Sequence, residues 1–275
     1  MIIAVCNQKG GVGKTTTAIN LGAGLAQAGA GKILLIDFDP QANTTTGLGM
    51  NKNHISISVY DFLAGRALAE VVQPTQIPEL YLVPATISLC GAEIELIEEE
   101  EREFKLRSRL ESELEGFDLV IIDTPPSLGI LTVNALVASN LVIIPIQAEF
   151  YALEGLVDFL NTLNLIKDRI NPDLDILGIL LTMADYRTKI AYDVEHEIRE
   201  RFQELVFHTV IHRNVRLAEA PSYGSPIQLY APNSVGAYCY NQLAQEVRER
   251  IRGKYGKEER AGERVISPDT PEVGI

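Results

Sequence analysis

Short apolar runs without polar alternation punctuate this chain: Ile2-Ile3-Ala4-Val5-Cys6, Ile33-Leu34-Leu35-Ile36, Leu119-Val120-Ile121-Ile122 and Leu141-Val142-Ile143-Ile144-Pro145. A strand wetted on one face alternates apolar with polar residues, so runs like these belong to strands covered on both faces. The pattern predicts strands near 1–7, 32–37, 80–84, 118–123, 141–146, 174–182 and 206–211. Between them, helices are expected near 15–28, 88–115, 128–139, 153–170, 189–204 and 234–252. Such alternation gives an α/β fold: a doubly wound, mostly parallel sheet with helices on both faces. Residues 1–253 read as one domain. Beyond them the sequence turns polar and collects Gly256, Gly262, Pro268 and Pro271, so 254–275 reads as a disordered tail.

The first strand runs into Lys9-Gly10-Gly11-Val12-Gly13-Lys14-Thr15-Thr16, and a small-residue helix follows from Thr17 to Ala28. Glycines at 10, 11 and 13 let consecutive amides turn inward as a nest for anionic oxygens. The helix start adds its positive dipole end. Lys14 can then reach β/γ-phosphates, and the Thr15 hydroxyl can coordinate Mg²⁺. Gly10, Gly11, Val12, Gly13, Lys14, Thr15 and Thr16 together make a nucleoside triphosphate site.

The loop departs from standard P-loop spacing, because Gln8 stands where the first glycine belongs and an additional Lys9 follows it. It also fails the dinucleotide pattern, with Thr16 where the third glycine should be. Two lysines at one phosphate edge repel, so one solution is that Lys9 serves a nucleotide held by a second copy of the chain. With these two lysines the loop resembles the deviant Walker A motif of the ParA/MinD family of P-loop ATPases. Further segments similar to that family occur along nearly the whole chain, and several are like those of chromosomal and plasmid partitioning (Soj-like) members. The resemblance implies the P-loop NTPase fold, ATP with Mg²⁺, and an ATP-bound homodimer in which Lys9 reaches the partner's ATP.

Two apolar strands end in acid, at Asp37-Phe38-Asp39-Pro40-Gln41 and at Asp123-Thr124-Pro125-Pro126. The carboxyl edge of a parallel sheet is where α/β folds bind ligands. An Asp there also caps a following helix or turn, and the residues alone leave both uses open. By resemblance, Asp123 acts on Mg²⁺, Asp39 orients the attacking water, and Asp37 stands beside it near the metal. Lys9, Lys14 and Asp39 are then the catalytic set, with Thr15, Asp37 and Asp123 at the metal. The 211–215 loop with Met183 resembles the adenine-side wall, adding Arg213 and Asn214 to the nucleotide contacts. His212 stands where that family usually has proline.

Charge bears on the partner. The net charge is −13, but residues 93–118 hold eleven carboxylates against four basic residues, more than half of that total. Glu98 to Glu101 reads as a solvated face. The rest of the chain carries only −6, and a local basic patch rather than the total decides duplex binding. The resemblance makes Arg187, Arg213 and Arg216 candidates for non-specific DNA contact, although the acids of the 189–204 helix (Asp193, Glu195, Glu197, Glu200) oppose it. It also implies a ParB-like activating partner and a cytoplasmic, nucleoid-associated location. Cys6, Cys90 and Cys239 show no metal or paired spacing and fit a reducing compartment. No stretch approaches the roughly 18 apolar residues of a membrane span, and the chain enters a strand at once, without a secretory signal. Two alternatives use the same scaffold. A MinD-like membrane cycle needs an apolar C-terminal helix face, which 248–264 lacks, so no membrane partner is expected. A metabolic enzyme would need cluster cysteines or a second catalytic constellation.

Overall fold

The computed structural model describes residues 1–149 and 152–262. Its elements are β1 (Ile2–Val5), α1 (Lys14–Gln27), β2 (Ile33–Asp37), α2 (Asn43–Gly47), α3 (Val59–Leu63), α4 (Leu68–Val71), β3 (Gln73–Pro74), β4 (Leu80–Val83) and α5 (Leu89–Glu95). There follow α6 (Lys105–Glu111), β5 (Leu119–Asp123), α7 (Ile130–Ala138), β6 (Leu141–Gln147), α8 (Ala152–Arg169), β7 (Asp175–Thr182), α9 (Lys189–Phe202), α10 (Val215–Glu219), α11 (Ile227–Tyr230) and α12 (Val235–Gly262). Seven strands form one sheet in the order β3-β4-β2-β5-β1-β6-β7, parallel except for the antiparallel β3–β4 edge. The apolar runs occupy its centre, and β2 and β5 are buried throughout, as runs without alternation require.

One face is covered by α1, α11 and α12. Gly24 lets α12 close on α1, since a Cβ there would stand 3.0 Å from the Ala244 methyl and 3.4 Å from the Tyr240 carbonyl oxygen. The opposite face carries α3 to α7 over β2, β4 and β5, and α7 to α9 over β1, β6 and β7. Strand β1 sits inside the sheet with β5 and β6 beside it, so the loop leaving it opens at the middle of the carboxyl edge. In that sheet Asp37 and Asp123 are register partners. Two separate acidic strand tips are therefore side by side.

Three expectations change. The run 206–211 is no ladder strand: it touches the sheet through isolated bridges, Val206 with Ile179 and His212 with Ala184. The amides of Phe207 and Ile211 donate to β7, but those of His208 and Thr209 go to the Glu246 carboxylate instead (2.8 and 2.9 Å). The stretch 88–115 is not one helix; α5 and α6 are separated by irregular chain in which Glu101 takes a left-handed φ of 54°. Finally, α12 continues to Gly262, so 254–262 is helical, and 263–275 lie outside the described residues. Among the described residues no helix is long and apolar enough to cross a membrane.

Candidate functional site

The loop between β1 and α1 is shaped by glycines with φ of 74° at Gly11 and 88° at Gly13, a region that side chains with a Cβ avoid. Gly13 caps α1 without any side-chain hydrogen bond, leaving the first amides of a 14-residue helix for an anion. The loop is braced from below. Thr182 donates to the Val12 carbonyl at 2.8 Å, Asn7 accepts the Lys9 amide at 2.9 Å, and the Asn7 amide group donates to Pro145 at 2.8 Å. Lys14 is buried, and its Nζ donates to the Lys9 carbonyl oxygen at 3.0 Å, inside the loop. Burial lowers its pKa, opposed by the nearby carboxylates of Asp123 and Asp39.

Lys9 points elsewhere. Its Nζ lies 3.4 Å from Glu149 Oε2, with both side chains about half exposed. The two lysines of the loop thus diverge, one into the phosphate nest and one toward solvent.

Helix α2, which no apolar periodicity announces, ties the acids together. Thr44 donates to Asp123 Oδ2 at 2.7 Å; Thr45 donates its amide and hydroxyl to Asp37 Oδ2 at 2.7 and 2.6 Å. Asp37 Oδ1 also accepts the Asp39 amide at 3.3 Å, so Asp37 does perform the capping work that its position allowed. Asp39 Oδ1 accepts the Gln41 amide at 2.9 Å, closing the turn. Burial, then the neighbouring Asp123 charge, pushes Asp37 up to about 7 despite its hydrogen bonds. Burial likewise pushes Asp123 up to about 6, held back by the hydroxyls of Thr44 and Thr15. Among the described residues Asp123 Oδ1 is buried with no hydrogen-bond partner, although the Thr15 hydroxyl is near enough to draw the carboxyl down. An unpartnered carboxylate oxygen beside a buried ammonium and a hydroxyl suits a hard cation accompanied by phosphates.

A cavity of about 440 Å³ opens beside Gly13, lined among others by Thr16, Met183, Ile211, Arg213 and Asn214. The predicted base-side residues are therefore brought together, with Met183 in a left-handed conformation (φ 51°). His212 shares this wall, its ring edge-on to Tyr186 at 5.4 Å, and the Arg213 amide donates to the Ala184 carbonyl at 3.1 Å. Two further cavities flank the far half of α12, one near Arg250 and Lys254 and one near Arg248 and Tyr255, away from the loop.

The three arginines expected at DNA differ in electrostatic state. Arg187 is forked onto Asp185 (2.7 and 2.5 Å), whose carboxyl falls to about 2 chiefly through that hydrogen bond. Arg216 pairs with Glu219 at 2.9 Å. Arg213 is exposed and forms no ion pair among the described residues. Sequence reasoning missed Thr44, Thr45 and Thr182; for the first two, the Thr44-Thr45-Thr46 run shortly after Asp39 was the available signal.

A family model described as an AAA domain matches residues 1–176. The chain is 52% identical over 247 residues to the sporulation initiation inhibitor protein Soj of Bacillus subtilis (strain 168), covering 90% of this chain and 97% of that protein. It is 51% identical over 249 residues to the chromosome-partitioning ATPase Soj of Thermus thermophilus, covering 90% and 96%. Among solved structures, cobyrinic acid a,c-diamide synthase from Mycobacterium smegmatis with bound ATP analog and magnesium superposes with a TM-score of 0.79 at 38% identity, covering 93% of this chain and 96% of that one.

Proposed function

The chain belongs to the ParA/MinD family of P-loop ATPases, among its Soj-like chromosome-partitioning members, and on that footing we propose an ATP-driven dimerising switch that grips DNA and positions a cargo. It is an ATPase using ATP with Mg²⁺. The observation that carries the site reading is the buried, unpartnered Oδ1 of Asp123 within the field of Lys14 and the Thr15 hydroxyl.

Hydrolysis is in-line attack of water on the γ-phosphorus; the bond to the bridging β–γ oxygen breaks and ADP leaves with the electron pair. Mg²⁺ would supply charge neutralisation on the phosphate oxygens when bound. Asp123 and Thr15 would hold it, with Asp37 behind them fixing the tip of β2. Among the described residues no cluster of His, Cys, Asp or Glu forms an all-protein metal cage, which accords with a Mg²⁺ that arrives with phosphates. Lys14 exchanges the Lys9 carbonyl for phosphate oxygen, and the loop amides cradle the rest. Asp39 orients the attacking water. Lys9, turned outward, supplies its charge to the nucleotide of a second protomer, so a lone chain should turn over slowly. Met183, Arg213 and Asn214 border the base.

Arg213, with Arg187 and Arg216, contacts DNA backbone in the ATP state, and a ParB-like partner stimulates turnover. Together these put the protein at the nucleoid in the cytoplasm. The test is DNA retention with ATP and with ADP across a salt series. ATP-dependent retention that falls steeply with salt is expected; equal retention in both states would remove the switch, and none in either would remove DNA binding.

A further inference from the structure

Helix α5 carries two apolar stripes, and only one is buried. Leu89, Ala92 and Leu96 pack into the core. Ile87, Cys90, Ile94 and Ile97 recur at the same helical spacing on the other side and face solvent, the three isoleucines 69%, 71% and 61% exposed. Helical turns extend α5 at both ends, through Cys90 N to Ile87 O before it and a 3₁₀ turn at Leu96–Glu98 after it, so the stripe is continuous. Isolated exposed apolar residues are ordinary, but a row of isoleucines on one face is a contact surface.

Its surroundings are acidic. Glu93, Glu95 and Glu98 to Glu101 border the stripe. Glu95 is engaged by Tyr60 and Glu99 by Lys105, while Glu93, Glu98, Glu100 and Glu101 make no ion pair among the described residues. We propose that this face docks a positively charged amphipathic helix of another protein, its apolar side on the isoleucines and its basic residues on the glutamates.

Charge selects that occupant. A second copy would set one acidic run against another, and residues 263–275 bring three acids with a single arginine. Nucleic acid and anionic lipid are repelled for the same reason. The location gives a bound helix a route to the site: the Ala85 amide, two residues before Ile87, donates to the Thr45 hydroxyl at 2.9 Å, and that hydroxyl donates to Asp37. The proposal rests on exposure and charge, independently of the nucleotide chemistry.

Two synthetic helical peptides sharing one leucine face, one flanked by lysines and one by glutamates, test it on the full chain by fluorescence anisotropy. Modification of Cys90 by a thiol reagent locates the site, because Cys6 and Cys239 are buried. The lysine peptide should bind about tenfold or more tighter than the glutamate peptide and should slow Cys90 modification. Ile94→Glu should abolish both effects without lowering the melting temperature, and Glu100→Lys with Glu101→Lys should reverse the peptide preference. Equal affinities, an unprotected Cys90, or Cys90 protection that appears on raising protein concentration alone would overturn the proposal. So would protection that disappears when residues 263–275 are removed.

Discussion

Thr44 donates its hydroxyl to Asp123 across 2.7 Å, joining α2 to the tip of β5. Thr44→Val would leave Asp123 with no hydroxyl on Oδ2 as well as an unpartnered Oδ1, deep in the protein. A loss of about 1–3 kcal/mol in unfolding free energy is expected from the stranded acceptor. The Mg²⁺ concentration needed for half-maximal nucleotide binding should rise, because a carboxyl already raised to about 6 is raised further. Thr44→Ser should restore both, as read by denaturant melts and a Mg²⁺ titration.

Glu246 fixes the 206–212 segment. Burial pushes its carboxyl up, but the amides of Thr209 and His208, with Arg250 beside it, pull it below the ordinary 4.5. Because the folded value is the lower one, this stabilisation is present above pH 4.5 and is lost as pH falls through the folded value. Glu246→Ala should cost about 2–3 kcal/mol at neutral pH, and the gap from the unaltered chain should narrow in acid. A gap constant down to pH 3 or so would contradict this linkage.

Gly224 and Gly49 are in backbone contact, both with positive φ (60° and 86°), and a Cβ on Gly224 would stand 2.5 Å from the Gly49 Cα. Gly224→Ala should therefore destabilise by about 2 kcal/mol, combining overpacking with left-handed strain. Thermal melts beside Gly253→Ala, a position with open space around it, supply the comparison.

Arg213 and Arg187 should separate in DNA retention. The Arg187 charge is compensated by Asp185 beside it, whereas Arg213 has no such pair among the described residues. Arg213→Ala should weaken ATP-dependent retention and lower the salt slope by about one; Arg187→Ala should change it less. The reverse ranking would move the DNA face toward the 185–189 turn.

Much of this was legible because burial on both faces writes itself plainly. Ile33–Ile36 and Leu119–Ile122 are central strands, and the glycine loop sits where a strand meets a helix. The run at 206–211 misled because strand composition says nothing about where amides bond, and two of them bond Glu246. The acid-rich 88–115 stretch kept helical spacing across a break at Glu99–Glu101, where like charges crowd and Arg102 donates to the Ile97 carbonyl instead. Helix α2 is five residues of Asn, Thr and Gly, too short and polar for a periodic signal, so the threonines holding both acids stayed hidden.

The pairing of protomers over ATP is tested most directly by light scattering on Asp39→Ala, which should retain uncleaved ATP, beside the unaltered chain and Lys9→Ala. With Mg²⁺ and ATP the mass of Asp39→Ala should rise from the 30.3 kDa of one chain to twice that value, and Lys9→Ala should stay at the single-chain mass. A mass of 30.3 kDa for every protein at saturating ATP would contradict the shared site and the switch built on it.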